Sequence, residues 1–271
     1  MRLDKDYLME MELWPHFEMR GLGQAAPAPV ELPIATQAER VARVARVTAA
    51  APAQSVPRNQ PIRVAAPIRP PASPRPADPA LLARIAGADW NALQQIASGC
   101  QACALCGERK NVVFGVGPQA AHWLFIGESP GAEEDQSGEP FVGQAGKLLD
   151  AMLGAAGLAR GREVYLANVV KCRPLGSRTP LLEEALACAP LLDRQIDLIQ
   201  PKIIVALGKT AIARLIGSDA PMVALRGRVH QYRDIPVIAT YHPAYLLRNL
   251  PEKLKAWEDL QLAKSTLAGL L

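Results

Sequence analysis

Trp123-Leu-Phe-Ile-Gly-Glu-Ser-Pro-Gly131 is the stretch of sequence that decides the fold. It is a short apolar run, typical of a buried β-strand, and it ends directly in a glycine-rich turn. Similar apolar runs follow at residues 164–170, 203–207 and 237–240, and helical patterns lie between or after them at residues 147–156, 181–199, 210–216 and 251–267. Strands that alternate with helices indicate a parallel sheet covered on both faces. We therefore expect an α/β fold with three layers, α/β/α, around a short central parallel sheet.

Polar or glycine-rich elements follow the predicted strands. They are Gly-Glu-Ser-Pro-Gly after the first strand, Asn168 within the second, Gly208-Lys-Thr after the third and His242-Pro-Ala after the fourth. Ligands of open α/β folds bind beyond the carboxyl ends of the strands. We therefore expect these residues to converge on one cleft. For His242 alone, a structural role is the competing interpretation.

The first of these elements carries most of the chemistry. Residues 127–135 hold four carboxylates, and a second glycine-rich stretch, residues 138–146, leads into a helix. Glycines allow close backbone approach, and a helix N-terminus offers free amides to an anion such as phosphate. No Gly-Lys-Ser/Thr sequence closes the stretch, so it is not a Walker loop. An acidic surface loop with ordinary turn glycines is the alternative.

Four cysteines form two widely separated pairs, Cys100 with Cys103 and Cys172 with Cys188, and a fifth, Cys106, extends the first pair. Four thiolates suit either tetrahedral zinc or an iron–sulfur cluster, and spacing alone does not separate the two. The alternative is that all five are small buried hydrophobic residues. In a reducing compartment paired cysteines are more often ligands than disulfides.

The composition divides the chain near residue 80. Residues 24–79 hold 12 of the 24 prolines, many alanines, seven arginines and no aromatic residue. We expect residues 1–79 to be a disordered Pro/Ala/Arg-rich N-terminal arm and residues 80–271 to form one globular domain. Ahead of the proline-rich part, apolar residues between Tyr7 and Phe17 suit either a short amphipathic helix that docks elsewhere or an unstructured terminus.

Charge and targeting signals set the expected location. The net charge of +4 and pI near 8.9 permit a nucleic-acid partner without requiring one. The first residues are acidic, without the apolar core of a signal peptide, and no apolar stretch approaches the roughly 20 residues that span a bilayer. We expect a cytoplasmic protein that does not associate with membranes.

Taken together, six motifs resemble the family 4 uracil-DNA glycosylases, the iron–sulfur branch of the uracil-DNA glycosylase superfamily. The resemblance runs from about Asp89 to the C-terminus, and the arm before residue 80 is outside it. The motifs are Cys100-Gln-Ala-Cys103, Gly127-Glu-Ser-Pro-Gly131, Pro140-Phe-Val-Gly143, Asn168-Val-Val-Lys-Cys-Arg-Pro174, Cys188 and His242-Pro-Ala-Tyr-Leu-Leu-Arg248.

The resemblance implies an enzyme that flips uracil out of DNA and hydrolyses its N-glycosidic bond, leaving an abasic site. It implies a structural [4Fe-4S] cluster held by Cys100, Cys103, Cys172 and Cys188, with Cys106 as a spare thiol. It also implies catalytic roles for Glu128, His242, Ser129 and Glu134, and substrate contacts by Phe141, Asn168, Gly127 and Gly131. We favour Glu128 and His242 over Ser129 as catalytic residues, because the best-known superfamily branch carries an aspartate at the position of Ser129.

Within that interpretation His242 donates to uracil O2, Phe141 stacks on the flipped ring and Asn168 reads O4 and N3–H. Tyr245, Leu246 and Leu247 are candidates for the side chain that fills the gap in the base stack, with Arg248 nearby to bind a phosphate. The alternative is that the leucines begin a buried helix. The expected partner is single- or double-stranded uracil-containing DNA. We expect a monomer, with a further protein partner for the arm.

Two alternatives come from other classes. One is a DNA-binding module of the same fold that has lost catalysis. The chain retains the residues that catalysis needs, which argues against this alternative; they are Glu128, Phe141, Asn168 and His242. The other is the related branch that traps uracil-DNA as a covalent adduct. That branch inserts a basic loop with a histidine after the Asn-x-x-Lys segment, whereas residues 171–180 are short and contain no histidine.

Overall fold

The computed structural model describes residues 78–270, which contain a five-stranded sheet. The strands are β1 Trp123–Gly127, β2 Val164–Asn168, β3 Ile203–Leu207, β4 Val229–Tyr232 and β5 Ile235–Thr240, and their order in the sheet is β2-β1-β3-β5-β4. The four strands predicted from apolar runs are mutually parallel, as expected. The predicted first and last residues of these four strands agree with the observed ones to within two residues.

Strand β4 was not predicted, and it makes the sheet mixed rather than purely parallel because it pairs antiparallel with β5. Its residues Val-His-Gln-Tyr alternate between exposed and half-buried positions and form no apolar run. An edge strand needs only one covered face, so the pattern that reveals buried strands is missing here. At the opposite end of the sheet, isolated bridges join Val116 to Leu166 and Arg160 to Val164.

Nine α-helices accompany the sheet in the described part of the chain. They are α1 Pro79–Ala86, α2 Trp90–Ser98, α3 Ala132–Ser137, α4 Gln144–Ala155, α5 Leu182–Ile199, α6 Lys209–Ile216, α7 Met222–Leu225, α8 Pro243–Leu246 and α9 Lys253–Ala268. Helices α4, α5, α6 and α9 are the four that the sequence predicts. Helices α1 and α2 were missed, although Asp78 and Asp89 cap their N-termini with side-chain hydrogen bonds.

Two apolar clusters cover the two faces of the sheet and confirm the three-layer architecture. Strand β1 shows the division, because Leu124 and Ile126 belong to one cluster and Trp123 and Phe125 to the other. The first cluster joins α1, α2, α5 and α6 to the sheet, and the second joins α4 and α9. Successive side chains of a strand point to opposite faces, so buried strands are apolar throughout.

Residues 1–77 and Leu271 lie outside the described residues, so the prediction of a disordered arm over residues 1–79 falls almost wholly outside the structure. Its last residue, Pro79, is already the first residue of α1. No helix between residues 78 and 270 combines the length and apolar character that crossing a membrane requires.

A buried ion pair fastens the chain before β4 to helix α9. Asp259, which is fully buried, accepts from the Arg226 guanidinium at 3.1 Å and from the backbone N–H of Gly227 at 3.2 Å. Asp259→Ala leaves Arg226 without its buried partner, and we expect a loss of about 3–5 kcal/mol in the free energy of unfolding. Urea unfolding measures it.

The matched control is Glu258→Ala, since Glu258 also contacts Arg226 at 3.0 Å but is 59% exposed. Its removal is expected to cost less than about 1 kcal/mol. Equal losses in the two variants would show that burial of the Arg226–Asp259 pair does not matter.

Candidate active site

The carboxyl ends of the parallel strands surround a cavity of about 200 Å³. The structure brings seven of the predicted residues together there, and it adds others from neighbouring loops. The lining consists of Glu128, Ser129, Pro130, Gly131, Glu134, Phe141, Ala145, Asn168, Pro174, Ser177, Arg178, His242 and Ala244. The prediction that the strand ends converge on one cleft is therefore confirmed for the first, second and fourth elements.

Glu134 fastens the two glycine-rich loops to each other. One carboxylate oxygen accepts from the N–H of Gly131 at 3.0 Å, and the other accepts from the N–H groups of Val142 and Gly143, each at 3.0 Å. Both oxygens are thus occupied by backbone donors. We expected a catalytic role for Glu134, but this geometry favours a positioning role.

Glu128 is held by helix α6, which directly follows the third parallel strand. One of its carboxylate oxygens accepts a hydrogen bond from the hydroxyl of Thr210, in the first turn of α6. This contact joins the Gly208-Lys-Thr element to the site, although Thr210 does not itself line the cavity. A carboxylate anchored through one oxygen is oriented while its charge remains available to the cavity.

Phe141 is fixed in an uncommon backbone conformation, with φ of +57°. Arg160 holds that turn, because its guanidinium donates to the carbonyls of Pro140 at 2.8 Å and Phe141 at 2.7 Å while also binding Asp150. Gly146 is needed beside it, since a Cβ there would come within 1.8 Å of the Phe141 carbonyl oxygen. The phenyl ring therefore stands in a set position, its centroid 5.9 Å from that of the His242 ring.

Asn168 ends β2 with its side chain only 2% exposed. Its carbonyl oxygen Oδ1 finds no hydrogen-bond partner among residues 78–270. A buried acceptor left unpaired costs about 1–3 kcal/mol, which is a reason to look for a ligand that donates to it. Gly127 lies opposite in the sheet register, and a Cβ there would sit 2.5 Å from Oδ1 and 2.5 Å from the Phe141 ring. A glycine at 127 keeps this space open.

His242 is a neutral hydrogen-bond donor in this setting. Its pKa is lowered from 6.5 to about 4, mainly by burial, with a smaller opposing effect of Glu134 and a smaller lowering effect of Arg248. The backbone N–H of Ala244 donates to Nδ1 at 3.2 Å, so Nε2 carries the proton of the neutral ring. The histidine offers an N–H from Nε2 at neutral pH.

The structure places the predicted DNA-contact residues in different environments, some buried and some exposed. Leu246 is fully buried in the cluster of α4 and α9, which matches the core interpretation and not the wedge. Tyr245 is partly exposed and stacks on Tyr241 at 5.0 Å, while Leu247 and Arg248 are exposed. Leu247 therefore replaces Leu246 as the apolar side chain that DNA can reach.

Sequence reasoning missed the loop that follows Asn168. Pro174, Ser177 and Arg178 line the cavity, and Arg178 makes two hydrogen bonds of 2.8 and 2.7 Å to the buried Glu184. Glu184 also accepts from the N–H of Leu181 at the start of α5. The only sequence signal was the Glu three residues after the first residue of a predicted helix, which is common and not specific.

The five cysteines line a second, separate hollow, which is small, with a volume of about 10 Å³. Cys172 and Cys188 are buried, and Cys100, Cys103 and Cys106 are half-buried. The structure thus brings the two predicted pairs together, with Cys106 beside them. No three Cys, His, Asp or Glu side chains within residues 78–270 have the arrangement that a single metal ion needs.

The surroundings of the hollow suit a negatively charged metal–thiolate shell. Arg109 donates to Sγ of Cys172 at 3.3 Å and to the carbonyl of Cys100 at 2.8 Å, and buried Lys171 lines the same hollow. Burial raises the pKa of Cys188 to about 12 and of Cys103 to about 11. Thiolates at these positions need positive charge beside them, and an all-thiol donor set of this kind suits an iron–sulfur cluster better than a single ion.

Comparison with known proteins gives the family of this chain. Residues 114–261 match the family described as the Uracil DNA glycosylase superfamily. A type-4 uracil-DNA glycosylase of Thermotoga maritima is 45% identical over 170 residues, which are 61% of this chain and 88% of that protein. One of Pyrobaculum aerophilum is 41% identical over 182 residues, 64% of this chain and 92% of that protein.

The chain belongs to the uracil DNA glycosylase superfamily. Within it, the chain belongs to the type-4 uracil-DNA glycosylases. A type-5 uracil-DNA glycosylase of Pyrobaculum aerophilum is more distant, being 32% identical over 88 residues that cover 31% of this chain and 38% of that protein.

The lowered pKa of His242 predicts a specific pH dependence of stability. Below its ordinary value of 6.5 the unfolded chain binds a proton that the folded protein does not take up until about pH 4. The free energy of unfolding should therefore fall by about 3 kcal/mol between pH 6.5 and 4 through this residue. Urea unfolding of His242→Gln should show a shallower fall than the parent protein over that window.

His122→Gln is the matched control, because His122 is an exposed histidine outside the active-site cavity. Identical pH profiles for the parent and His242→Gln would mean that His242 protonates normally in the folded protein.

Proposed function

We propose that this protein is a DNA-repair enzyme that excises uracil from DNA by hydrolysing the N-glycosidic bond. The observation that carries the proposal is the pairing within one cavity of an unpartnered buried acceptor, Oδ1 of Asn168, with a neutral donor, Nε2 of His242. Uracil presents N3–H to such an acceptor and its O2 to such a donor. The type-4 relatives carry the same activity in their names.

Base recognition follows from these groups. The nucleotide is flipped out of the duplex at a cost of a few kcal/mol, and its ring stacks on Phe141. The Asn168 amide accepts from N3–H and donates to O4. Cytosine has an amine in place of O4 and an acceptor at N3, so both contacts would be mispaired. Gly127 leaves the space in which the base meets Asn168.

Bond cleavage needs charge stabilisation at both ends of the breaking bond. As the bond from C1′ to N1 breaks, negative charge develops on uracil, where the N–H of His242 donates to O2. The Glu128 carboxylate faces the cationic sugar and orders the attacking water, with Ser129 beside it. Water supplies the hydroxyl that remains on C1′ and the proton that leaves with uracil.

We assign the cysteine hollow to a [4Fe-4S] cluster held by Cys100, Cys103, Cys172 and Cys188. When bound, the cluster supplies a cross-link between the segment before β1 and the loop and helix that follow Asn168. Arg109 and Lys171 offset the negative charge of the thiolates around it. No step of the reaction requires an electron.

DNA contact beyond the flipped base is assigned to Tyr245, Leu247 and Arg248, which are exposed and follow His242 by three to six residues. Leu247 fills the gap in the base stack and Arg248 binds a phosphate. We also propose a monomer located in the cytoplasm. Neither a catalytically silent DNA-binding module nor an adduct-forming relative is favoured by any contact in the cavity.

Asn168→Asp tests the proposed base contact. A carboxylate cannot donate to O4, so we expect uracil excision to fall by about 10²-fold or more. The assay incubates anaerobically purified full-length protein with uracil-containing single- and double-stranded oligonucleotides and then counts alkali-induced breaks. Asn91→Asp, the same change at an exposed position of α2, is the control and should leave excision unchanged. Full activity of Asn168→Asp would remove the residue from base recognition.

Removal of cysteines tests the cluster. The anaerobically purified protein should be yellow-brown, with broad absorbance near roughly 400 nm. Cys172→Ala or Cys188→Ala should abolish the colour and lower solubility, because the thiolate shell is incomplete. Cys106→Ala is the matched control and should keep the colour. A colourless parent protein with stoichiometric zinc, or a colourless Cys106→Ala, would overturn the ligand assignment.

A further inference from the structure

A large apolar groove lies outside the active-site cavity and shares no lining residue with it. It has a volume of about 760 Å³ and runs between α1 and α5, with the segment after α2 as its floor. Its apolar walls carry Leu81, Leu82, Ile85, Ile96, Leu182 and Leu186. Leu182 and Leu186 are 75% and 60% exposed, one turn apart on α5. Exposed apolar surface of this extent indicates a binding site rather than a solvated face.

The described part of the chain begins at this groove, since Asp78, the cap of α1, lines it. Seventy-seven residues precede Asp78. A candidate occupant of the groove lies near residue 1 of the sequence. Apolar residues there follow a helical spacing of four, four and three residues: Leu3, Tyr7, Met11 and Trp14. Pro15 ends that pattern directly after Trp14.

We propose that the chain's own first segment, residues 3–14, binds as an amphipathic helix in the groove between α1 and α5. An amphipathic helix that lays its apolar face in a hydrophobic groove is a common mode of recognition. Three of the chain's aromatic residues, Tyr7, Trp14 and Phe17, stand in this region, whereas residues 24–79 have none. The segment has an apolar face to bury, and the groove has apolar walls to cover.

The tether favours the chain's own segment over a second copy. Sixty residues separate Phe17 from Asp78. Tethered segments of this kind experience an effective concentration on the order of millimolar, well above the concentration of separate molecules in a dilute solution. Intramolecular binding therefore prevails at micromolar protein, even where the contact itself is weak.

One consequence concerns the cysteine hollow. Cys100 and Ala102 line both the groove and the hollow. A helix in the groove would cover the half-buried Cys100 from the outside. The proposal is independent of uracil excision, because no groove residue lines the active-site cavity.

Hydrogen exchange of the full-length protein, followed by mass spectrometry, tests the proposal. We expect the amides of residues 7–14 to exchange about tenfold or more slowly than those of a free peptide of the same sequence. Leu186→Glu on one wall, Leu82→Glu on the other and Met11→Glu in the segment should each restore free exchange. Val223→Glu is the matched control, since Val223 is 74% exposed, apolar and outside the groove. It should leave the protection unchanged.

Three outcomes would overturn the proposal. Free exchange of residues 7–14 in the parent protein would show that the segment is not bound. Protection that survives both Leu186→Glu and Leu82→Glu would place the segment elsewhere. Protection that rises with protein concentration, together with a dimer in light scattering, would make a second copy the occupant. Uracil excision measured on the same variants should stay within about twofold of the parent.

Discussion

The register of β1 against β2 is the constraint on which the active site depends. It sets Gly127 opposite Asn168, so the last residue of each strand faces the same space. The pairing continues beyond the strands, because the N–H groups of Val169 and Val170 donate to the carbonyls of Gly127 and Glu128 at 3.0 and 3.2 Å. A slip of one residue would turn Asn168 to the opposite face and remove its side chain from the cavity. The pairing of β1 with β2 thus also sets the geometry of the active-site cavity.

The loop after Asn168 joins the two sites. Cys172 lies in it and faces the cysteine hollow, while Arg178, six residues later, lines the active-site cavity. Glu184 anchors Arg178, and Cys188 follows Glu184 by four residues on the same face of α5. The wall of the active-site cavity is therefore tied to the cysteine hollow through a short stretch of the chain. The loop after Asn168 and the start of α5 thus support both sites at once.

Much of this was predictable because buried parallel strands are continuous apolar runs and because their polar ends share one edge. The exceptions have physical reasons. Strand β4 is half-exposed and carries no apolar run, and Leu246 looks like an exposed wedge until α4 and α9 are seen to enclose it. The supporting contacts of Arg160, Thr210 and Arg178 depend on residues distant in sequence. Long-range hydrogen bonds leave no local pattern, so sequence reasoning finds the groups that line the cavity and misses those that hold them in place.

The two ends of the sheet have a consequence for behaviour in concentrated solution. An open strand edge is a template on which another chain can add, and native proteins block such edges. Here the outer edge of β2 is partly closed by the bridges from Val116 and Arg160, and β4 ends the other side as a short strand rich in polar residues. The apolar strands β1, β3 and β5 are all interior. The protein accordingly keeps its aggregation-prone strands away from neighbouring molecules for as long as the sheet stays intact.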